Sequence, residues 1–160
     1  SINMNIELLC IGKENADAFE EALSQYIKKI KLYNNFDLVV IPYLKNTKSM
    51  SFEEQKRREG ELLLKKISPS DCVVLLDERG KEFSSVEFAN FLQQKMNSGI
   101  KKLVFVIGGA YGFSETVYQR QNAKISLSKL TFPHLMTRLI FTEQLYRAFT
   151  ILHNEPYHHD

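Results

Sequence analysis

Short runs of consecutive apolar residues alternate along the chain with longer segments in which apolar residues recur every three or four positions. The short runs lie at residues 5–11, 36–41, 72–76, 103–107 and 125–127. Because they contain little polar alternation, they predict strands that are covered on both faces, as in a parallel sheet. The longer segments predict amphipathic helices that pack on those strands. Strand and helix alternate five times, which predicts an α/β fold with a mainly parallel sheet and helices on both faces.

Local signals indicate where the helices begin. Asn15 or Asp17 is suited to cap the first helix. Ser51-Phe-Glu-Glu54 and Ser84-Ser-Val-Glu87 have the spacing of capping boxes, which predicts that the second and third long helices begin there. Pro133 fits the first position of a last helix that continues to about residue 153.

The last helix carries apolar residues around most of its circumference. A helix that packs on one face of a sheet needs an apolar stripe only about 100° wide. The excess predicts a second buried face, most simply against the same helix of another subunit in a homodimer. A deeper core within one chain is the alternative. The apolar residues in question are Leu135, Met136, Leu139, Ile140, Phe141, Leu145, Tyr146, Phe149, Ile151 and Leu152.

Composition describes an ordinary globular chain. The 160 residues, 44% hydrophobic and 25% charged, predict one domain over 1–160 without a linker or repeat. No apolar run approaches the roughly 18 residues that a membrane span needs, and Lys13 follows the first apolar stretch rather than preceding it as in a signal peptide. Cys10 and Cys72 lie within strand patterns, so we expect buried free thiols, which suit a reducing cytoplasm.

Three loops are expected to converge at the carboxyl edge of the sheet, where α/β folds bind ligands. They follow Leu76, Ile107 and Leu127. The first is predicted to be a charged turn, Leu76-Asp-Glu-Arg-Gly-Lys81, and the second carries Gly108-Gly-Ala-Tyr-Gly112. Such loops offer backbone N–H and C=O groups and apolar walls to a purine. The alternative is that the glycines only turn the chain.

Several familiar sites are missing from the sequence. Gly12-Lys13 lacks the spacing of a P-loop, and the glycines at 108–112 follow the fourth predicted strand rather than the first, unlike a dinucleotide fingerprint. His153, His158 and His159 with Asp160 are metal-ligand types, but a histidine pair in a tail is more often solvated, so no metal site is expected.

Basic residues are predicted at the same edge, although a net charge of +2 does not by itself indicate a nucleic-acid partner. Arg79, Lys81 and Lys129 lie in or beside the loops. His134 and Arg138 are four positions apart and therefore share a helix face. Together such residues can hold a polyanion through phosphate contacts, whereas each lysine alone is better explained as a solvated surface residue.

An ordered set of motifs over nearly the whole chain resembles the RlmH family of SPOUT methyltransferases. Gly-Gly-x-x-Gly alone is weakly specific, but the set with a Thr-Phe-Pro-His segment and a terminal Pro-Tyr-His is highly specific. The chain departs from relatives at Asp77-Glu-Arg79 and Ala110-Tyr111, both at variable positions. The motifs are Cys10-Ile-Gly-Lys13, Arg58-Glu-Gly60, Leu76-Asp-x-x-Gly-Lys81, Phe105-Val-Ile-Gly-Gly-x-x-Gly112, Leu127-Ser-Lys-Leu-Thr-Phe-Pro-His134, Arg138, Glu143-Gln-Leu-Tyr-Arg-Ala148 and Pro156-Tyr-His158.

The resemblance implies a C-terminal trefoil knot, a homodimer and S-adenosylmethionine as cofactor. It further implies methylation of N3 of a pseudouridine in 23S rRNA of the assembled ribosome, in the cytoplasm. The cofactor-binding positions that it implies are Leu76, Gly108, Leu127, Ser128, Lys129, Leu130, Thr131 and Phe132.

The reaction requires that the pseudouridine N3 lose its proton. His134 is the first candidate for the proton acceptor, and a structural role at a helix start is its alternative. Arg138 is a candidate for stabilising the developing anion or holding phosphate. Tyr157 and His158 of the tail are candidates for the same site or the partner's. A non-catalytic ribosome- or RNA-binding module on the same fold is the alternative function.

Overall fold

The computed structural model describes residues 4–13 and 19–159. Five strands form one sheet in the order β2-β1-β4-β3-β5, and every neighbouring pair is parallel. This confirms the predicted parallel sheet. The strands are β1 Asn5–Ile11, β2 Phe36–Ile41, β3 Cys72–Glu82, β4 Lys102–Ile107 and β5 Ala123–Ser126.

Helices cover both faces of the sheet, as the alternating pattern predicted. They are α1 Glu20–Lys31, α2 Phe52–Lys65, α3 Ser85–Asn97, α4 Glu115–Arg120 and α5 His134–Leu152. Helices α1, α3 and α5 pack on one face and α2 and α4 on the other. Successive strand residues point to opposite faces, so Leu8 and Phe105 belong to the first core while Leu9 and Val106 belong to the second. The central strands β1 and β4 therefore carry apolar residues on both of their faces.

The capping predictions are largely confirmed. Ser84 forms a complete capping box with Glu87, and the Ser51 hydroxyl accepts a hydrogen bond from the Glu54 backbone N–H. The cap predicted at Asn15 or Asp17 lies outside the described residues. Pro133 is the N-cap of α5 and not its first helical residue, because its ψ of 146° is extended and the helix begins at His134.

The third strand differs from its prediction. The charged stretch 76–81 does not end β3, since both Leu76 and Lys81 lie opposite Ile125 of β5. Residues 77–80 leave the sheet and return to the same register position, after which β3 continues to Glu82. Gly80 makes this return possible, because a Cβ there would lie only 2.7 Å from the Ile125 backbone nitrogen.

Helix α5 lies between α1 and α3 on the first face of the sheet. Its side chains Phe141, Leu145 and Phe149 are buried there, and none of its residues is fully exposed. The single-chain core therefore accounts for part of the apolar excess of this helix. The homodimer and the trefoil knot stay predictions. Cys10 and Cys72 are buried free thiols, as expected.

Candidate functional site

The three predicted loops do meet at the carboxyl edge of the sheet. They enclose a cavity of about 450 Å³ that opens to solvent, with the start of α5 and Tyr118 of α4 completing its wall. A cavity of this size falls in the range that proteins use for drug-sized ligands and cofactors. Its lining includes every predicted cofactor-binding residue except Lys129: Leu76, Gly108, Leu127, Ser128, Leu130, Thr131 and Phe132.

The loop after β4 forms one wall with its backbone. The Gly112 N–H donates to the Gly109 carbonyl at 3.1 Å, and Gly112 has a φ of +83° that favours glycine. A Cβ on Gly109 would overlap the carboxylate of Glu59, which is buried on α2 beneath this loop. Burial raises the pKa of Glu59. The glycines therefore do more than turn the chain, since they bring bare backbone to the cavity over a packed side chain.

The loop after β5 is shaped by two serines. The Ser126 hydroxyl donates to the Ser128 carbonyl, and the Ser128 hydroxyl accepts from the Leu130 N–H, each at 3.0 Å. This turn presents Leu130 to the cavity, where its side chain is 72% exposed. Lys129 points away, is fully exposed and pairs with Glu82 at 3.7 Å. An apolar side chain exposed at a cavity wall is available for burial by a ligand.

His134, the first residue of α5, lines the cavity and is half-buried. Burial, and secondarily the positive charge of Arg138, lowers the pKa of the His134 imidazole. The N-terminus of a helix also disfavours a cation. His134 is therefore neutral at neutral pH, and a neutral imidazole nitrogen can accept a proton.

Arg138 does not line the cavity. Its side chain is only 1% exposed, and its Nη1 donates to the Lys13 carbonyl at 2.7 Å, at the end of β1. Within the described residues its Nε and Nη2 have no hydrogen-bond partner. Nearby Cys10 has its pKa raised to about 12 by burial, against the opposing effect of Arg138. Arg138 therefore acts on His134 through charge and on the 12–13 segment through its hydrogen bond.

The tail residues Tyr157 and His158 follow α5 and pack back against its side chains, away from the cavity of their own chain. The Tyr157 hydroxyl donates to Glu143 Oε2 at 2.7 Å, and His158 Nδ1 lies 3.1 Å from Arg147 Nη1. Glu143 and Arg147 form an ion pair at 2.6 Å. Glu143 is nine positions after His134, which is about 13 Å along a helix. One chain therefore does not bring the tail to His134.

A network at the cavity wall was not expected from the sequence. The Tyr118 hydroxyl donates to Asp77 Oδ2, and Arg79 Nη2 donates to the Tyr118 oxygen at 2.7 Å. Burial, together with the bonded Asp77, raises the pKa of Tyr118 to about 12. These groups come from the excursion at 77–80 and from α4. No sequence signal links Asp77 to Tyr118, because they are 41 positions apart in different elements.

Within residues 4–13 and 19–159, no three His, Cys, Asp or Glu side chains come together in a way that would hold a metal ion. None of the helices in the described part of the chain is long and apolar enough to cross a bilayer.

Comparison with known proteins gives consistent matches over nearly the full length. The family model described as "Predicted SPOUT methyltransferase" matches residues 4–158. A Flavobacterium johnsoniae protein is 56% identical over 156 residues, covering 98% of this chain and 99% of its own length. A Bacteroides thetaiotaomicron protein is 55% identical over 157 residues, covering 98% of this chain and all of its own. Both relatives are named ribosomal RNA large subunit methyltransferase H.

Proposed function

This chain belongs to the SPOUT methyltransferase family, and on that premise we propose that it methylates N3 of a pseudouridine in 23S rRNA of the assembled ribosome, with S-adenosylmethionine as methyl donor. The observation that carries the proposal is the cavity of about 450 Å³. It combines bare backbone at 108–112 with apolar side chains at Leu76, Leu127 and Leu130. Adenine and the methionine chain of the donor present the matching amide-binding edges and apolar surfaces.

The donor, when bound, supplies an electrophilic methyl group on a sulfonium, whose carbon–sulfur bond breaks as the new nitrogen–carbon bond forms. The protein's own residues position the two reactants and accept the proton of N3. We assign the proton acceptor to His134, because it lines the cavity and its lowered pKa keeps it neutral. Arg138 is a positioning residue, since its buried guanidinium holds the 12–13 segment and biases His134.

We further propose that the protein acts as a homodimer in which α5 meets α5 of the partner. With 3.6 residues per turn, Met136 and Ile140 fall on the side of α5 opposite its buried residues Arg138, Leu145 and Phe149. Both are half-buried apolar side chains in the single chain. In such an isologous contact the same surface of both subunits is used, so each contact between the two helices occurs twice, related by the two-fold axis. The tail of one subunit, packed over Glu143 and Arg147, then lies near the start of the partner's α5.

This arrangement gives Tyr157 and His158 a catalytic role in the partner's site. In their own chain they are bonded to Glu143 and Arg147 rather than to the cavity. Sedimentation of Met136→Glu tests the contact. A monomer that still binds the donor but has lost methyl transfer is expected, whereas an unchanged dimer would place the contact elsewhere.

The central test is a calorimetric titration with S-adenosylmethionine, combined with methyl transfer onto ribosomes that lack the modification. Thr131→Trp fills the cavity from an exposed position that lines it. We expect at least about a tenfold loss of donor affinity, since the ring occupies ligand space. Gly108→Val is less specific, because a Cβ there would lie 2.9 Å from Phe113 and disturb the fold itself.

Ser70→Trp is the matched control. It adds the same ring at an exposed residue at the opposite edge of the sheet, and donor affinity should stay at the wild-type value. Absence of donor binding by the wild-type protein would refute the proposal. Ribosome binding without methyl transfer would instead identify the alternative, a non-catalytic RNA-binding module.

A further inference from the structure

We propose that the stacked rings of Phe52 and Tyr111 form a platform on which an unpaired nucleobase of the substrate RNA stacks, beside the cavity. This inference rests on the proposed function, because it names a contact through which the same site holds its RNA.

Exposed apolar side chains are concentrated at the carboxyl edge of the sheet. In the described part of the chain the exposed large hydrophobic residues include one at the end of α1, Leu32, and four after strand ends. Those four follow β2, β4 and β5 and therefore share the edge that holds the cavity: Tyr43, Phe52, Tyr111 and Leu130. Single exposed apolar residues need no explanation, but a group along one edge of the sheet indicates an interaction surface.

Within that group, two rings are stacked on each other. The centroids of Phe52 and Tyr111 are 4.4 Å apart and their planes are inclined by 22°. Phe52 is nevertheless 66% exposed and Tyr111 is 41% exposed. Tyr111 lines the cavity, whereas Phe52 does not. The pair therefore extends outward from the cavity wall and leaves aromatic surface open to solvent.

The fold does not depend on this pair. Neither ring belongs to the two apolar cores. The stack of Tyr33 on Phe149 makes a contrast, because its Phe149 is buried in the first core. Phe52 is the first residue of α2, and that helix start is already capped by Ser51. An exposed phenylalanine at a capped helix start contributes little to folding, so the pair is available for a ligand.

The surroundings favour RNA as the ligand. Lys45 and Lys48 are exposed in the segment that leads from β2 to Phe52, and Arg79 is exposed at the cavity wall. Proteins recognise unpaired RNA by stacking bases on aromatic rings while cations contact the phosphates. Exposed aromatic faces, with lysine and arginine on the same edge of the sheet, meet both needs. Leu130 on the far side of the cavity is then left to contact the methyl donor.

Phe52→Ala tests the platform, with Leu32→Ala as the matched control. Both remove an exposed apolar side chain, but Leu32 lies at the end of α1. Methyl transfer is measured with ribosomes lacking the modification as the varied substrate. For Phe52→Ala we expect the ribosome KM to rise about tenfold, which is the size of effect that alanine substitution of a base-stacking ring produces on nucleic-acid affinity. Affinity for S-adenosylhomocysteine, measured by calorimetry, should stay unchanged, and Phe52→Trp should retain the wild-type KM.

Three results would overturn the platform. The first is a ribosome KM for Phe52→Ala equal to that for Leu32→Ala, and the second is a loss of cofactor affinity in Phe52→Ala. The third is that Phe52→Ala is a monomer while the wild-type protein is a dimer. The second would make Phe52 part of the cofactor pocket, and the third would make the ring pair a subunit contact. Failure of the proposed function is separate: if wild-type protein transfers no methyl group, cosedimentation of both variants with ribosomes still tests the platform.

Discussion

The two edges of the sheet are built in opposite ways. At the amino edge, side chains form hydrogen bonds with backbone groups. The Asn34 amide donates to the Met4 carbonyl at 2.6 Å. The Asn122 side-chain oxygen accepts from the Val73 N–H, and the Asn122 N–H donates to the Val73 carbonyl. Arg120 donates to the carbonyls of Ser68 and Asp71 at 3.0 and 2.8 Å. At the carboxyl edge, glycine backbone, exposed rings and a neutral histidine surround a cavity instead.

The contrast between two arginines shows what this difference means. Arg120 donates to two backbone carbonyls and to the Asn122 side chain, and thereby fixes the turn that precedes β3. Arg79 reaches another side chain, Tyr118, and stays exposed at the cavity. Buried or tied polar groups stabilise a fold, whereas polar groups left at an opening are available to a ligand. Substitutions at the carboxyl edge should therefore change activity, and those at the amino edge should change stability.

His134→Asn should have the largest effect at the carboxyl edge. Loss of a positioned proton acceptor reduces kcat by about a hundredfold or more. Steady-state methyl transfer measures the loss, and the melting temperature should stay near that of the wild type. His153→Asn, at the other end of α5, is the control and should retain full activity. A wild-type kcat in His134→Asn would return His134 to a purely structural role.

Arg120→Ala should have the largest effect at the amino edge. It leaves the carbonyls of Ser68 and Asp71 without their charged donor, which costs about 2 kcal/mol of unfolding free energy. Urea denaturation measures this loss. Methyl transfer per folded molecule should be unchanged, and a proportionate fall in kcat would show that the two edges are coupled.

Leu130→Ala should produce a smaller effect that is confined to ligand affinity. The side chain is 72% exposed, so its removal costs little stability. Burial of a leucine by the donor is worth roughly 1.5 kcal/mol or more, so the dissociation constant of S-adenosylmethionine should rise about tenfold. Calorimetry on the variant and the wild type checks this, with Leu32→Ala as the control for an exposed leucine.

The smallest effect concerns pH. The proposed mechanism requires the neutral form of His134, and the pKa of its imidazole lies below the ordinary value of 6.5. At pH 6.5 more than half of the molecules therefore carry the neutral form, so kcat/KM should fall less than about twofold from its plateau. The activity is lost only as the pH falls through the lowered pKa. A profile with an acid limb centred above pH 6.5 would contradict the assignment of His134.

Local patterns sufficed for most of the fold. Runs of apolar residues located all five strands, and serine caps located two helix starts. The end of β3 was not predicted, because Lys81 and Glu82 are polar. They pair with β5 only after residues 77–80 have left the sheet and returned to it at Gly80. A polarity pattern cannot distinguish such a return from a turn.

The candidate site was predictable where it depends on strand ends and less so where it depends on side-chain direction. Loop positions 76, 108 and 127–132 converge because parallel strands share a carboxyl edge. Lys129 and Arg138 lie in the expected segments but point away from the cavity. The contact of Tyr118 with Asp77 depends on two distant elements meeting, which spacing along the chain does not encode.

The pairing of β1 with β4 has a consequence for synthesis. Ile6 lies beside Leu103, so the centre of the sheet joins the start of the chain to a segment made much later. Contacts of such long sequence separation slow folding, because the intervening loop must close first. The apolar strand β1 therefore emerges from the ribosome well before its central neighbour exists, and the pairing of these two strands must wait until about two-thirds of the chain has been translated.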